Sequence, residues 1–126
     1  MGMSYRDLPE VPYAYAAVVS GRAVLFTAGV CPLNAQGSLV GMGDLRRQVE
    51  QVVDNLLAVL EHHGAGPEHL VKTTIYVVGE GDDLRTAWRL MADALTPHRP
   101  PSTLLGVSAL GYEGQLVEAE GIAALP

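Results

Sequence analysis

The chain has 126 residues, of which 48% are hydrophobic, with 8 basic residues against 14 acidic ones and a formal net charge of −6. This length suits a single domain over residues 1–126, and the apolar content excludes an intrinsically disordered chain because a core can be buried. The acidic balance and the lack of any lysine- or arginine-rich run argue against nucleic-acid binding, which normally shows a basic stripe.

The only cysteine is Cys31, so no intrachain disulfide can form, as is typical of proteins in a reducing compartment. The stretch "MGMSYRDLPE" has no apolar signal core. No apolar run reaches the ~18–20 residues that span a bilayer. We therefore expect a cytoplasmic protein with no membrane partner.

The first predicted elements are two short strands in "AYAAVVSGRAVLFTAG", with a tight reversal at Ser20, Gly21 and Arg22. The clearest helix is "GDLRRQVEQVVDNLLAVLEHHG", which Asp44 can cap and Gly64 can end. Its apolar positions recur with the helical period: Leu45, Val49, Val52, Val53, Leu56, Leu57 and Leu60.

The stretch "HLVKTTIYVV" predicts a strand rich in β-branched residues, with Val71, Thr73, Ile75 and Val77 on one face. The stretch "DDLRTAWRLMADAL" predicts a second amphipathic helix, which Pro97 stops. Its apolar stripe consists of Leu84, Ala87, Trp88, Met91 and Leu95.

Two closing strands are predicted over residues 102–110 and 115–124. In the first, we expect a helix-facing set of Thr103, Leu105, Val107 and Ala109, opposite Ser102, Leu104, Gly106, Ser108 and Leu110. In the second, one face holds Val117, Ala119, Gly121 and Ala123, and the other Leu116, Glu118, Glu120 and Ile122. The order β-β-α-β-α-β-β indicates an α+β fold, one mixed sheet with two helices on one face. Apolar residues on the uncovered face predict a homo-oligomer that buries them.

Four stretches together resemble the RidA/YjgF (Rid) superfamily: "FTAGVCPLN", "QVVDNLLAVLEHHGAGPEHLVKTTIYV", "PPSTLLGVSAL" and "LVEAEGIA". The resemblance runs from about Tyr15 to Ala124. It implies a chorismate-mutase-like fold and a homotrimer with clefts between subunits. It also implies the activity of the best-known members, which hydrolyse reactive imines and enamines derived from amino acids, releasing ammonia without a metal or organic cofactor.

The resemblance places Ser102 where the deaminating members carry an arginine that clamps the substrate carboxylate. A guanidinium pairs with a planar carboxylate through two hydrogen bonds, whereas a serine hydroxyl offers one neutral donor. Arg99 lies three residues earlier, ~10 Å away along an extended chain, and is not expected to substitute. The chain is therefore predicted not to be a typical amino-acid-imine (2-aminoacrylate) deaminase.

The other cleft positions are carried over from the same resemblance. Glu118 corresponds to the glutamate that orients or activates the attacking water, and Tyr15 to a cleft tyrosine. Ala28 replaces a frequent serine, Leu104 a frequent cysteine and Trp88 a frequent asparagine. Because apolar side chains replace polar ones, the expected partner is a small-molecule ligand less charged than an amino-acid imine.

Each of these residues also has a plainer interpretation. Trp88 falls on the apolar stripe of its helix, and Tyr15 can pack as an ordinary strand aromatic. A lone cysteine such as Cys31 is usually a small buried hydrophobe. The histidines are not spaced as zinc ligands, so no metal site is expected.

Three functions follow from these residues. The first is hydrolysis of an imine, enamine or related activated C=N compound, with Glu118 positioning water. The second is a non-catalytic small-ligand-binding trimer that keeps the cleft and has lost the chemistry. The third, endoribonuclease activity or inhibition of translation, is disfavoured by the acidic charge and the missing basic patch.

Overall fold

The computed structural model describes residues 6, 10, 11 and 13–126. Within them the chain forms a mixed four-stranded sheet and two α-helices, which confirms the predicted α+β class. The elements in chain order are β1 (Val24–Phe26), α1 (Leu45–His62), a 3₁₀ turn (Pro67–His69), β2 (Leu70–Val78), α2 (Gly81–Leu95), β3 (Ser102–Val107) and β4 (Val117–Ala124).

The strands lie in the order β1-β4-β2-β3. Strand β2 runs parallel to β3 and antiparallel to β4, and β1 runs antiparallel to β4. Helix α1 packs on β4, α2 packs on β2 and β3, and the two helices contact each other. The core therefore lies between the helices and one face of the sheet. In the described part of the chain, neither helix is long and apolar enough to cross a bilayer.

Helix α1 begins and ends as predicted. The carboxylate of Asp44 accepts a hydrogen bond from the Arg47 amide at 3.1 Å, and Gly64 follows the helix with a φ of 74°. The predicted stripe is buried at five positions: Val49, Val52, Val53, Leu56 and Leu60. From α2, the side chains of Ala87, Met91 and Leu95 complete this core.

The predicted hairpin before α1 does not form. Residues 13–23 contain no strand, so β1 is the only strand of the pair that the structure shows in this part of the chain. The Ala14 amide instead donates to the carbonyl of Arg99 at 3.3 Å. Because Arg99 precedes β3, at the sheet edge opposite β1, this segment is held far from the strand it was predicted to pair with.

The two faces of β3 are also reversed relative to the prediction. Ser102, Leu104 and Gly106 pair in parallel register with the buried residues of β2, so they face the helices. Leu105 points the other way and is 45% exposed. A Cβ on Gly106 would lie 3.3 Å from the side chain of Leu84, which shows that α2 packs over this face of β3. The wrongly predicted helix-facing set is Thr103, Leu105, Val107 and Ala109.

Strand β4 follows its predicted pattern. Val117, Ala119 and Ala123 are fully buried beneath the helices. Glu118 and Glu120 alternate with them on the opposite face and are half-exposed. This alternation leaves both carboxylates on the face of the sheet that no helix covers.

A buried amide ties α1 to the two loops beside it. Gln48 is fully buried; its Nε2 donates to the carbonyls of Gly41 and Gly114 at 3.0 Å each, and its Oε1 accepts from the Leu116 amide at 2.7 Å. Replacement by leucine keeps the volume but leaves these backbone groups without partners. We expect Gln48→Leu to lower the free energy of unfolding by about 2–4 kcal/mol, measured by urea titration. The same change at the exposed Gln36 is the control and should cost less than about 0.5 kcal/mol.

Candidate functional site

The predicted site residues lie in two groups on opposite faces of the sheet. Ser102 is paired with Thr73, and Glu118 with Tyr76. The two positions are therefore three residues apart along β2 and two strand spacings apart across the sheet, about 14 Å between Cα atoms. An odd number of residues along a strand also puts the side chains on opposite faces. Within one chain, Ser102 and Glu118 cannot contact the same small ligand.

The first group lines a groove between α2 and β3, here named the Trp88 groove. Its shared lining consists of Tyr13, Trp88, Ala92, Asp93 and Ser102. Its inner end is a cavity of about 170 Å³. Leu104 lies at its outer end. The predicted cleft residues Trp88, Ser102 and Leu104 are thus brought together.

Tyr13, which has no counterpart among the predicted site residues, lines the groove together with Trp88. Its ring meets the Trp88 indole edge-to-face, with centroids 5.9 Å apart. The predicted Tyr15 packs against the outer side of Tyr13 at 6.0 Å. Desolvation, followed by the nearby Tyr13 and Glu10, raises the pKa of Tyr15. The sequence "YAY" at positions 13–15 puts a tyrosine on either side of Ala14, so the sequence alone did not distinguish which tyrosine lines the groove.

Trp88 contacts both the core and the groove. Its ring packs against the buried core residues of α2 and β2, and it also lines the groove. Leu104 shares this double role. The groove is therefore an extension of the core surface, which makes its wall apolar.

The hydroxyl of Ser102 is engaged inside the chain. It donates to the carbonyl of Pro100 at 3.0 Å and hydrogen-bonds the hydroxyl of Thr73, which is fully buried. Because a serine hydroxyl has one hydrogen, Thr73 is the donor in that second bond. Ser102 thus supplies the acceptor for a buried hydroxyl as well as part of the groove wall.

Charged side chains also line the groove, among them Asp93 in both parts. Arg85 and Arg89 line the outer end, and Arg99 and His98 line the inner end. The guanidinium of Arg85 is paired with the exposed carboxylate of Asp82. Exposed pairs of this kind contribute little to stability. Ser102 and Leu104, which line the same groove, carry no charge.

The second group surrounds Glu118 on the uncovered face, and we call it the Glu118 cluster: Gly29, Cys31, Gln115 and Glu118. The thiol of Cys31 donates to Oε1 of Glu118 at 3.3 Å, and Nε2 of Gln115 donates to the same oxygen at 3.1 Å. The segment that carries Cys31 is fixed because Val30 bridges to Ala119 of β4.

The Glu118 carboxylate lies directly against Gly29, in space that a side chain at this position would fill. A Cβ at Gly29 would overlap the carboxylate of Glu118, with Cδ of that side chain only 2.7 Å away. The neighbouring Ala28, a predicted cleft residue, is exposed beside the cluster. Its carbonyl accepts from the Thr27 hydroxyl at 2.7 Å. Ala28 therefore directly precedes the cluster along the chain and is not part of the Trp88 groove lining.

The ionisable neighbours in this region have perturbed pKa values. Partial burial, followed by the hydrogen bond to Glu118, raises the pKa of the Cys31 thiol. Tyr76 donates to the carboxylate of Glu120, and this bond raises the pKa of the phenol. The two glutamates thus have separate partners, although they lie on the same face of β4.

No group of three or more His, Cys, Asp or Glu residues within the described ranges is arranged to hold a metal ion. The Glu118 cluster presents a carboxylate, a thiol and an amide.

Comparison with known proteins covers almost the whole chain. Residues 6–125 match the family model described as Endoribonuclease L-PSP. Protein DfrA of Myxococcus xanthus is 33% identical over 112 residues, which are 89% of this chain and 84% of that protein. A RutC family protein of Pyrococcus abyssi is 29% identical over 115 residues, 91% of this chain and 87% of that protein.

Solved structures agree with the sequence matches. The crystal structure of YyfB from Yersinia pestis, a protein of unknown function in the conserved Rid family, is similar with a TM-score of 0.85 and 33% identity. The similarity covers 98% of this chain and 96% of that one. The matched length, the identity and the shared fold together show that this chain belongs to the Endoribonuclease L-PSP family, the RidA/YjgF superfamily.

Proposed function

We propose that this protein hydrolyses an imine, enamine or related activated C=N compound in a cleft between the subunits of a cytoplasmic homotrimer. The observation that carries the proposal is that the Trp88 groove and the Glu118 cluster lie on opposite faces of the sheet. The Cα atoms of Ser102 and Glu118 are about 14 Å apart. Two sets of residues that cannot share a ligand within one chain can do so when one set comes from a second copy.

The uncovered sheet face supports this assembly. Phe26 is 70% exposed, and Val24 and Leu105 are also exposed on that face. Exposed apolar residues concentrated on one face of a sheet are typical of a surface that another subunit covers. In solution we expect a particle of about three times the 13.4 kDa chain mass, measured by analytical ultracentrifugation.

The proposed reaction uses one water and no cofactor. The carboxylate of Glu118 accepts a proton from water while the water oxygen bonds to the imine carbon. The nitrogen takes that proton back from Glu118, which gives a neutral carbinolamine. Glu118 then carries the carbinolamine hydroxyl proton to the nitrogen, the C–N bond breaks as the C=O bond forms, and ammonia leaves a carbonyl product. A positioned carboxylate of this kind typically contributes ~10²–10⁴-fold to a rate.

The Trp88 groove supports a ligand without a carboxylate beside the reacting carbon. Its floor at Ser102 carries no charge, and the Ser102 hydroxyl is already engaged with Pro100 and Thr73. The aromatic wall of Tyr13 and Trp88 favours a flat or apolar group. The ligand we propose is therefore less charged than an amino-acid imine.

A matched pair of substrates tests the proposal. Imines of phenylalanine and of phenethylamine differ only in the carboxylate, and flavin-dependent amino-acid and amine oxidases can generate them in situ. Their loss is followed by trapping with semicarbazide. We expect the protein to accelerate hydrolysis of the phenethylamine imine at least about tenfold more than that of the phenylalanine imine, the difference expected when a carboxylate beside Ser102 finds no charged donor at that position.

Two results would contradict the proposal. Equal acceleration of both imines would show that another group holds the carboxylate. Binding of the phenethylamine imine's stable analogue, phenylacetaldehyde oxime, without any turnover would favour the non-catalytic ligand-binding trimer. A salt-dependent gel shift with RNA would support the ribonuclease interpretation, which the acidic chain disfavours.

A further inference from the structure

We propose that Gln115 and Cys31 are positioning residues: they hold one oxygen of the Glu118 carboxylate so that the other stays free to orient water. This inference rests on the proposed function, since it describes how the hydrolytic carboxylate is prepared. It concerns two residues outside the set taken from the family resemblance.

Gln115 is suited to hold Glu118 because it is itself immobile. It is 3% exposed, and its Oε1 accepts from the Tyr112 amide at 3.2 Å. Its Nε2 donates to the carbonyl of Val117 and to Oε1 of Glu118, at 3.1 Å each. Both amide hydrogens therefore have acceptors, and the amide cannot rotate without losing a bond in the buried region.

Cys31 supplies the second donor to the same carboxylate oxygen. Its thiol lies 3.3 Å from Oε1 of Glu118 and 3.7 Å from the carbonyl of Gly29. A thiol donates only while it is protonated, and the raised pKa of Cys31 keeps the proton on sulfur at neutral pH. The donor is thus present over the pH range in which a cytoplasmic enzyme works.

The two donors leave the carboxylate asymmetric. Among the residues that the structure describes, none donates a hydrogen bond to Oε2 of Glu118, which lies over Gly29. The absence of a side chain at Gly29 makes room for Oε2 itself, which occupies the position that a Cβ would take. One oxygen is fixed and the other is available, which is the arrangement a water-orienting base needs.

The turnover arm of the test compares Cys31→Ala with Cys31→Ser and adds Gln115→Leu, all with the phenethylamine imine. We expect kcat to fall by about 3- to 10-fold in Cys31→Ala and by about 10-fold or more in Gln115→Leu, with KM nearly unchanged, because ground-state binding does not use these groups. Cys31→Ser keeps a donor and should restore kcat to within about twofold of the wild type. Because Gln115→Leu can lower stability, its rates are normalised to the folded fraction measured by circular dichroism.

A second arm needs no substrate. Cys31 is the only thiol, so the pH dependence of its alkylation by iodoacetamide reports its ionisation alone. Glu118→Gln removes the charge that raises the thiol pKa, so the midpoint should move to lower pH. Glu120→Gln is the matched control, since Glu120 contacts Tyr76, and should leave the midpoint in place.

The two arms separate the possible failures. An unmoved midpoint in Glu118→Gln would overturn the contact and with it the inference, whatever the turnover. Full kcat in Cys31→Ala and Gln115→Leu, in a wild type that is active, would overturn the positioning role alone. An inert wild type would contradict the proposed function, and the alkylation midpoint would still decide whether Cys31 holds the carboxylate.

Discussion

Glu118→Gln is expected to lower kcat for the phenethylamine imine by ~100-fold or more while KM stays within about threefold. Glutamine has the shape of glutamate and can still meet the donors Cys31 and Gln115 through its amide oxygen. It cannot accept a proton from water. A large change in kcat at constant KM would therefore report proton transfer and not a loss of binding.

The control for this prediction lies two residues along the same strand. Glu120 faces the same side of β4 as Glu118, but its carboxylate is engaged by the Tyr76 hydroxyl. Glu120→Gln makes the same chemical change with the same change in charge, and we expect kcat to stay within about twofold. Glu120→Gln should also lower the pKa of the Tyr76 phenol, which is measured from the tyrosinate absorbance. Equal losses in both variants would show that overall charge on this face matters and that Glu118 has no specific role.

The elements with strong local signals were predictable from the sequence. Helix α1 has an N-cap at Asp44, a terminating Gly64 and an unbroken apolar stripe, and all three are found in the structure. Strand β4 alternates small apolar residues with glutamates, and its two faces are as expected. In both cases the information lies within one stretch of chain.

The errors come from tertiary contacts that a short stretch does not encode. The predicted first strand does not form, because the Ala14 amide donates a hydrogen bond to the carbonyl of Arg99, at the sheet edge opposite β1. The faces of β3 were reversed because both of its faces carry leucine, so alternation alone could not choose between them. The choice follows from the register with β2, which aligns Ser102, Leu104 and Gly106 with buried residues of β2.

The candidate site was predictable only in part for the same reason. Glu118 was reached through the family resemblance, but the donors to its carboxylate come from a turn 87 residues away and from a residue three positions earlier. From the sequence alone, Cys31 is expected to be a small buried hydrophobe. Its contact with Glu118 gives it a different role, that of a hydrogen-bond donor with a raised pKa.

Stability must be considered before any change at Ser102 is interpreted. The hydroxyl of Thr73 is fully buried and relies on Ser102 as its acceptor. Loss of that acceptor should lower the free energy of unfolding by about 1–3 kcal/mol. Ser102→Ala isolates this cost without changing the charge of the groove, so every other variant at this position is compared with it.

Ser102→Arg is expected to raise kcat/KM for the phenylalanine imine by about 10- to 100-fold, the gain from a charge-assisted pair of hydrogen bonds worth about 1.5–3 kcal/mol. The phenethylamine imine, which has no carboxylate, should gain nothing. Ser102→Lys adds the charge without the planar fork and should gain less.

Asp93 lines the same groove and could capture the introduced guanidinium, so the double variant with Asp93→Asn is measured beside the single one. A gain in either variant, confined to the carboxylate-bearing imine, would mean that the catalytic carboxylate is intact and that Ser102 sets which substrates are accepted. If neither variant gains activity while both remain folded, Ser102 does not line the cleft in which Glu118 works. The two groups of residues would then belong to separate sites, and the proposed cleft between subunits would be wrong.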